Sequence, residues 1–291
     1  MPKMKPSRII AFLFLCLSAS SGWIWDQALP PQLGTLAAQG LHFLLIGLVV
    51  AAWSLIRRNP LPQGVAIGWI TLAGLVLFAA PILLLHAAHG MVSSALGVLV
   101  FALLPVAVMV MTGALKGLLP ALLGVAGVLV LLPVSMPEGR GLLGIGLMVL
   151  AMLLTAAALV WLHRLLPQSS RGWAVVAICL SNGLILCLAG RDEASWGWEA
   201  ARCEALRALI IDAPEVLLLI WLIAALGPRQ LSARWLVAPL FTVLGGYVLM
   251  RPEGGLRLLV GAVLLALGGG LVFADNAEVE RGPDSLGLGR T

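Results

Sequence analysis

The segment Ala208-Leu209-Ile210-Ile211-Asp212-Ala213-Pro214-Glu215-Val216, running on through Trp221 to Leu226, is hydrocarbon interrupted by two carboxylates and a proline. Its length is that of one bilayer crossing, about 20 residues. Ionisable groups at membrane depth cost about 2.5–3.5 kcal/mol each on insertion scales, and they commonly face a bundle interior or a water-filled cavity. Asp212 and Glu215, three apart, share one helix face. Pro214 has no N–H for the carbonyl of Ile210 and biases Ala213 away from helical angles, so a helix break is expected here. Two readings of the tetrapeptide stand side by side. In one, Asp212 is an N-cap and Glu215 the third residue of a restarted helix, and both carboxylates satisfy backbone N–H groups. In the other, the break lies at the midplane, where interrupted helices of transporters contact substrate, and the carboxylates bind a cationic group or carry a proton.

The rest of the chain has the same character. It has 291 residues, of which 61% are hydrophobic and 11% charged, against roughly 45–50% apolar in a soluble domain. Ten apolar spans are predicted, at about 8–28, 34–56, 64–86, 92–113, 119–135, 141–163, 172–190, 204–226, 232–250 and 256–273. The fold class is therefore an all-α polytopic membrane protein with ten transmembrane helices. The N-terminus imitates a signal peptide, with Lys3, Lys5 and Arg8 before an apolar run and the small residues Ser18-Ala19-Ser20 after it. An uncleaved first helix is expected, because apolar sequence resumes at Gly22.

Ten spans place both termini on one side. Lys3, Lys5, Arg8, Arg57, Arg58, Lys116, Arg164, Arg171, Arg229, Arg234, Arg281 and Arg290 fall on that side, twelve of the 18 basic residues. Arg140, Arg191, Arg202, Arg207, Arg251 and Arg257 fall on the other. The two-to-one bias puts both termini in the cytoplasm. The net charge of +5 comes from residues scattered singly between apolar runs, so no nucleic-acid partner is expected. Cys16, Cys179 and Cys187 sit inside apolar runs and Cys203 in an expected loop, with no CxxC spacing. No P-loop, GxGxxG, HExxH or ordered Ser-His-Asp set is present, which leaves no sign of an enzyme, a metal or a cofactor.

Other polar residues are candidates. Trp23, Trp25, Asp26 and Gln27 end the first span, either as an interfacial belt or, with Trp23 and Asp26 on one face, as a cavity wall. Glu204 and Arg207 continue the Glu215 stripe outward, as a salt-bridged external gate or as a helix emerging into headgroups. Asn182 in the seventh span needs a partner in lipid, and a helix–helix hydrogen bond competes with a substrate contact. His86 and His89 lack a third ligand and read as interfacial caps. The loop from Arg191 to Cys203, with Trp196 and Trp198, reads as a cap on the bundle or an interfacial amphipathic segment. Gly64-xxx-Gly68 and Gly268-Gly-Gly270 read as packing features.

Each half of the chain has a proline-interrupted helix, a basic turn and a glycine-rich helix. The fourth span carries Phe101-Ala-Leu-Leu-Pro105-Val106, followed by Lys116-Gly117 and Gly124-Val-Ala-Gly127-Val. The second half carries Ala213-Pro214-Glu215-Val216, then Gly227-Pro-Arg-Gln-Leu-Ser232 and Leu244-Gly-Gly-Tyr-Val-Leu. Pro105 falls in the fourth span and Pro214 in the eighth, the third of its half, so the two are offset. A duplication of five spans inverts the second copy, and inverted repeats with interrupted helices mark secondary transporters.

On these residues, with Ser21-Gly22-Trp23 in the first helix, the chain resembles the drug/metabolite transporter superfamily in its EamA-like ten-helix branch, over about 8–273. The resemblance implies repeats at 1–135 and 136–273, a short cytoplasmic tail at 274–291, and helix breaks at Pro105 and Pro214. It implies a secondary active transporter in the plasma (cell inner) membrane, carrying small amphipathic metabolites such as amino acids through a central cavity. Export by alternating access, with proton coupling or exchange, is the expected mode. Glu215, Asp212, Trp23, Asp26 and Asn182 are the expected substrate or proton contacts, and Glu204 and Arg207 the external gate. The expected partners are a small-molecule substrate and the bilayer, with a homodimer left open. The sequence departs from the family where Pro228 follows Gly227 in place of Glu, where Glu215 replaces an apolar or aromatic residue, and in the short turn Gly113–Gly117. A flippase for a lipid-linked intermediate and a non-transporting scaffold or subunit are the alternatives.

Overall fold

The structure, a computed structural model, describes residues 5–60, 64–132, 139–166, 171–193, 197–250 and 255–274. Eight helices in it are long and apolar enough to cross a membrane. We label them with their shorter neighbours in chain order: α1 Pro6–Ser20, α2 Gly22–Ala28, α3 Thr35–Ile56, α4 Gly64–Ala87, α5 Ser94–Met111, α6 Leu115–Leu131, α7 Arg140–Leu165, α8 Gly172–Ala189, α9 Trp198–Ala225, α10 Pro228–Leu249 and α11 Leu256–Ala274. The two shorter apolar helices are α1 and α6. No strand occurs among the described residues. Large apolar side chains such as Leu48, Trp53, Leu119, Leu142, Val248 and Leu259 point outward, as lipid-facing helices require. The chain is a multi-pass helical membrane protein.

Several expected boundaries shift. The first span divides at Ser21, because the hydroxyls of Ser20 and Ser21 each bond a carbonyl three residues back, Leu17 O and Ser18 O, at 2.8 Å. Such back-bonding competes with the helix ladder. The eighth helix starts earlier than expected, at Trp198, so Cys203 lies within a helix rather than a loop. Trp196, the residues 133–138, Arg251 and the tail 275–291 lie outside the described residues.

The expected break at Pro214 is not a break. The helix widens into a π turn over Ala208–Asp212, with Ala213 N–H bonded to Ala208 O five residues back, and resumes as α-helix at Ala213. A π turn before a proline relieves the contact between its ring and the preceding turn while keeping the axis continuous. Asp212 makes no side-chain capping bond, so the capping-box reading fails. Pro105 produces a single irregular residue, Leu103, between Ser94–Ala102 and Leu104–Met111.

Two helix pairs pack backbone to backbone. In α3 and α8, a Cβ on Gly40 would stand 2.5 Å from Cys187 N, one on Gly183 2.7 Å from Leu44 N, and one on Gly190 2.5 Å from Ala37 N. In α6 and α11, a Cβ on Gly268 would stand 2.4 Å from Gly124 N and one on Gly127 2.8 Å from Leu265 N. Small residues permit this approach, and dispersion then holds the helices together in lipid. Gly268 thus packs as expected, whereas Gly270 and both members of Gly64-xxx-Gly68 face open space. Around these pairs, α7 packs on α4 and α5, and α1 packs on α9 and α10.

Candidate functional site

A cavity of about 720 Å³ opens between these pairs. Its wall is mainly apolar, with Phe43 and Phe78 in edge contact at 5.2 Å and Phe101 against Trp235 at 4.9 Å. The lining reaches the helix ends that carry Ala19, Leu85, Gly97 and Leu131. Toward the opposite ends it stops at Leu159 of α7 and at Leu231, in the first turn of α10. There the bundle is filled by buried Leu162, Leu222 and Ile223. Polar ties reinforce that closure: Arg229 donates to Thr112 Oγ1 at 2.9 Å and to Thr112 O at 3.0 Å, and His163 Nδ1 lies 2.6 Å from Ile223 O. The cavity is accordingly one-sided.

Three charged residues interrupt the apolar wall: Asp212 and Glu215 from α9, and Arg234 from α10. The shared helix face expected of the two carboxylates is observed. Glu215 does not lie free, however. Its carboxylate pairs with the Arg234 guanidinium, both side chains being mostly covered. Arg234 was expected at the cytoplasmic surface, at the start of the ninth span. It instead sits inside the bundle, because α10 begins at Pro228 and carries it a turn and a half inward.

Asp212 points to a second group that the sequence reading missed. His42, 2% exposed, stands between two acids: its Nε2 is 2.9 Å from Glu204 Oε2 and its Nδ1 is 2.9 Å from Asp212 Oδ2. The first contact is a hydrogen bond. The second is an ion-pair contact off the hydrogen-bond direction, and Nδ1 has no aligned partner. Glu204 is fully buried, and its Oε1 accepts from the backbone N–H of Gln32 at 2.6 Å and Leu33 at 3.2 Å. Arg207 Nε is 3.6 Å from Glu204 Oε2, and its Nη2 donates to Asp26 at 2.8 Å. A further bond from Arg207 to Leu29 O ties α9 to the chain after α2. The charges form one chain from the exposed Asp26 through Arg207, Glu204 and His42 to Asp212 on the cavity wall. A lone histidine in an apolar span was the available signal for His42.

The remaining candidates scatter. Asp26 is exposed and lies outside the cavity lining. Asn182 is buried away from the cavity; its Oδ1 accepts from Ala79 N at 2.8 Å and its Nδ2 donates to Ile178 O at 2.7 Å. It thereby satisfies the amide that α4 frees at Phe78, ahead of Pro81. These two bonds, one from α4 and one within α8, take both polar atoms of Asn182 away from any cavity contact. The Trp23 side chain lies outside the described residues. His86 pairs with Glu193 at 3.1 Å, and Glu193 also accepts from Leu36 N at 3.0 Å, closing the N-terminal end of α3.

No family model matches the sequence, and no curated protein matches it. A protein of known crystal structure shares the fold, with a TM-score of 0.74 and 19% identity over 93% of this chain and 99% of the other. At that identity the likeness establishes the fold alone. The apolar helices and the cavity together define a multi-pass helical membrane protein with an internal chamber.

Proposed function

We propose that the protein is a secondary transporter of small amphipathic metabolites, working by alternating access in the drug/metabolite transporter manner. The observation that carries this reading is the one-sided cavity of about 720 Å³ with a few charged groups on an apolar wall. Small-molecule sites are typically 300–1,000 Å³, mainly apolar, with few polar groups to fix orientation (roughly). The opposed charges of Glu215 and Arg234, beside aromatic Phe101 and Trp235, suit a zwitterionic solute with an apolar body, such as an amino acid. A scaffold has no use for such a chamber.

The packing supports ten spans arranged as an inverted five-plus-five repeat, with α1 to α6 matching α7 to α11. A twofold relation pairs α3 with α8, and α6 with α11, and these are the two backbone-close pairs. It also exchanges the contact of α4 with α7 for that of α9 with α1, and the contact of α7 with α5 for that of α1 with α10. The prolines follow the same relation. Pro105 and Pro239 each stand eleven residues past the start of α5 and α10, and Pro81 of α4 answers Pro214 of α9. The offset between Pro105 and Pro214 disappears once each has its own counterpart.

With Arg234 inside the bundle, the basic-residue bias still favours cytoplasmic termini, eleven against six. In that orientation the cavity faces outward, Arg229 and Thr112 close the cytoplasmic end, and Glu204 with Arg207 flanks the external mouth as a gate. An inner-membrane exporter is the reading that follows. Counterflow in proteoliposomes, with labelled amino acids and amphipathic cations, tests it. Accumulation in wild type, reduced at least tenfold or made pH-independent in Glu215→Gln, is the expected result. Absence of flux for every solute, from folded protein, overturns it in favour of the flippase or scaffold.

A further inference from the structure

We infer that His42, with Asp212 and Glu204, is a proton-binding site that exchanges its proton for a cationic group held at Asp212; this rests on the transporter reading above. The argument begins with what each ring nitrogen faces. Both His42 nitrogens stand 2.9 Å from a carboxylate oxygen. A neutral imidazole carries one N–H and one lone pair, and a carboxylate offers only acceptors. A neutral ring can donate to only one of the two acids, whereas a protonated ring has an N–H for each. The cluster therefore has a place for one proton more than a neutral histidine and two carboxylates.

The neighbours locate that proton. Glu204 already accepts from the amides of Gln32 and Leu33 and stands 3.6 Å from the Arg207 guanidinium, so its oxygens are taken up as acceptors. The extra proton thus belongs to His42 or to Asp212. Other titratable or charged groups around the ring are Asp26 behind Arg207, Cys187 of α8 across Gly40, and the Glu193 and His86 pair at the outer end of α3. Glu215 and Arg234 face the same cavity from α9 and α10.

Asp212 is the member with two environments. One side meets His42; the side chain is 27% exposed and lines the cavity. A cationic group arriving from the cavity competes with the protonated ring for the same carboxylate. When the cation binds, one proton leaves His42 by way of Asp212 to cavity water, and the net charge of the cluster is unchanged. Proton and cation then occupy the site in alternation, which is the condition for antiport. The π turn that ends at Asp212 places this exchange in the one stretch of α9 with a widened, less regular backbone.

The test has two measurements. Protein labelled with 15N-histidine in lipid nanodiscs gives imidazole signals from four histidines, that of His42 being assigned by its loss in His42→Gln. Between about pH 5 and pH 8, where imidazole ordinarily changes charge, the His42 ring is expected to lose one proton, and Asp212→Asn to move that transition. A ring that keeps one protonation state throughout overturns the proton site. In pyranine-loaded proteoliposomes, wild type is expected to move protons against solute and His42→Gln to lose that movement, whereas proton movement at the wild-type rate in His42→Gln overturns the assignment. Solute counterflow without proton movement in wild type overturns the coupling and leaves the transporter. A titrating His42 in protein that passes no solute overturns the transporter and leaves the proton site.

Discussion

Arg234 of α10 closes an ion pair with Glu215 of α9 inside a cavity otherwise walled largely by hydrocarbon. Neither charge was legible as a partner of the other, since one sits on a helix expected to break and the other at a helix end expected at the membrane surface.

Removing one member of that pair strands the other. Glu215→Gln or Arg234→Gln is expected to cost up to about 3 kcal/mol, with cavity water lowering the penalty. The double neutral variant is expected to recover part of it. Melting in detergent measures this, and a strictly additive double variant argues against the pair.

Gly268 and Gly270 separate packing from helix propensity. A Cβ on Gly268 meets the backbone of Gly124 at 2.4 Å, whereas one on Gly270 meets nothing. Gly268→Ala is expected to destabilise by about 1–3 kcal/mol through overpacking. Gly270→Ala is expected to be neutral or to stabilise by up to about 1 kcal/mol. Equal melting temperatures for the two would place the α6 and α11 contact elsewhere.

Asn182 supplies an acceptor to a backbone amide of another helix, and Ser181 only bonds the carbonyl of Ile178 in its own helix. Asn182→Ala is expected to cost about 1 kcal/mol, the scale of interhelical bonds in membranes. Ser181→Ala is expected to leave stability unchanged. The comparison is made by chemical denaturation in mixed micelles, and a larger loss at Ser181 would contradict the bonding described.

The one-sided cavity predicts one-sided labelling. In a background with the native cysteines replaced, Val98→Cys and Thr242→Cys are expected to react with an impermeant maleimide added outside intact cells. Leu162→Cys, in the buried layer, is expected to stay unlabelled. Labelling of Val98→Cys only in inverted vesicles would reverse the orientation given to the chain.

Hydropathy alone carried most of the fold. In lipid every backbone polar group must be satisfied within the segment, so long apolar runs become helices wherever they occur. The reading failed where side chains compete with the ladder, at Ser20 and Ser21, and where Pro214 is accommodated by a π turn, which composition does not announce. Pro81 and Pro239 stood in plain view, but the correspondence to Pro214 and Pro105 that the proposed repeat gives them rests on which helices touch.

The sequence by itself determined that this chain lives in a membrane, roughly where its apolar spans lie, and that Asp212 and Glu215 share a face. Those properties depend on local chemistry and on the period of one helix. Tertiary structure alone decided that His42 joins Asp212 to Glu204, that Arg234 answers Glu215, and that Asn182 serves α4 rather than the cavity. Each of these joins residues on different helices. In a bundle where nearly every surface is apolar, only the closely fitting faces, set by Gly40, Gly183, Gly124 and Gly268, choose which polar groups meet.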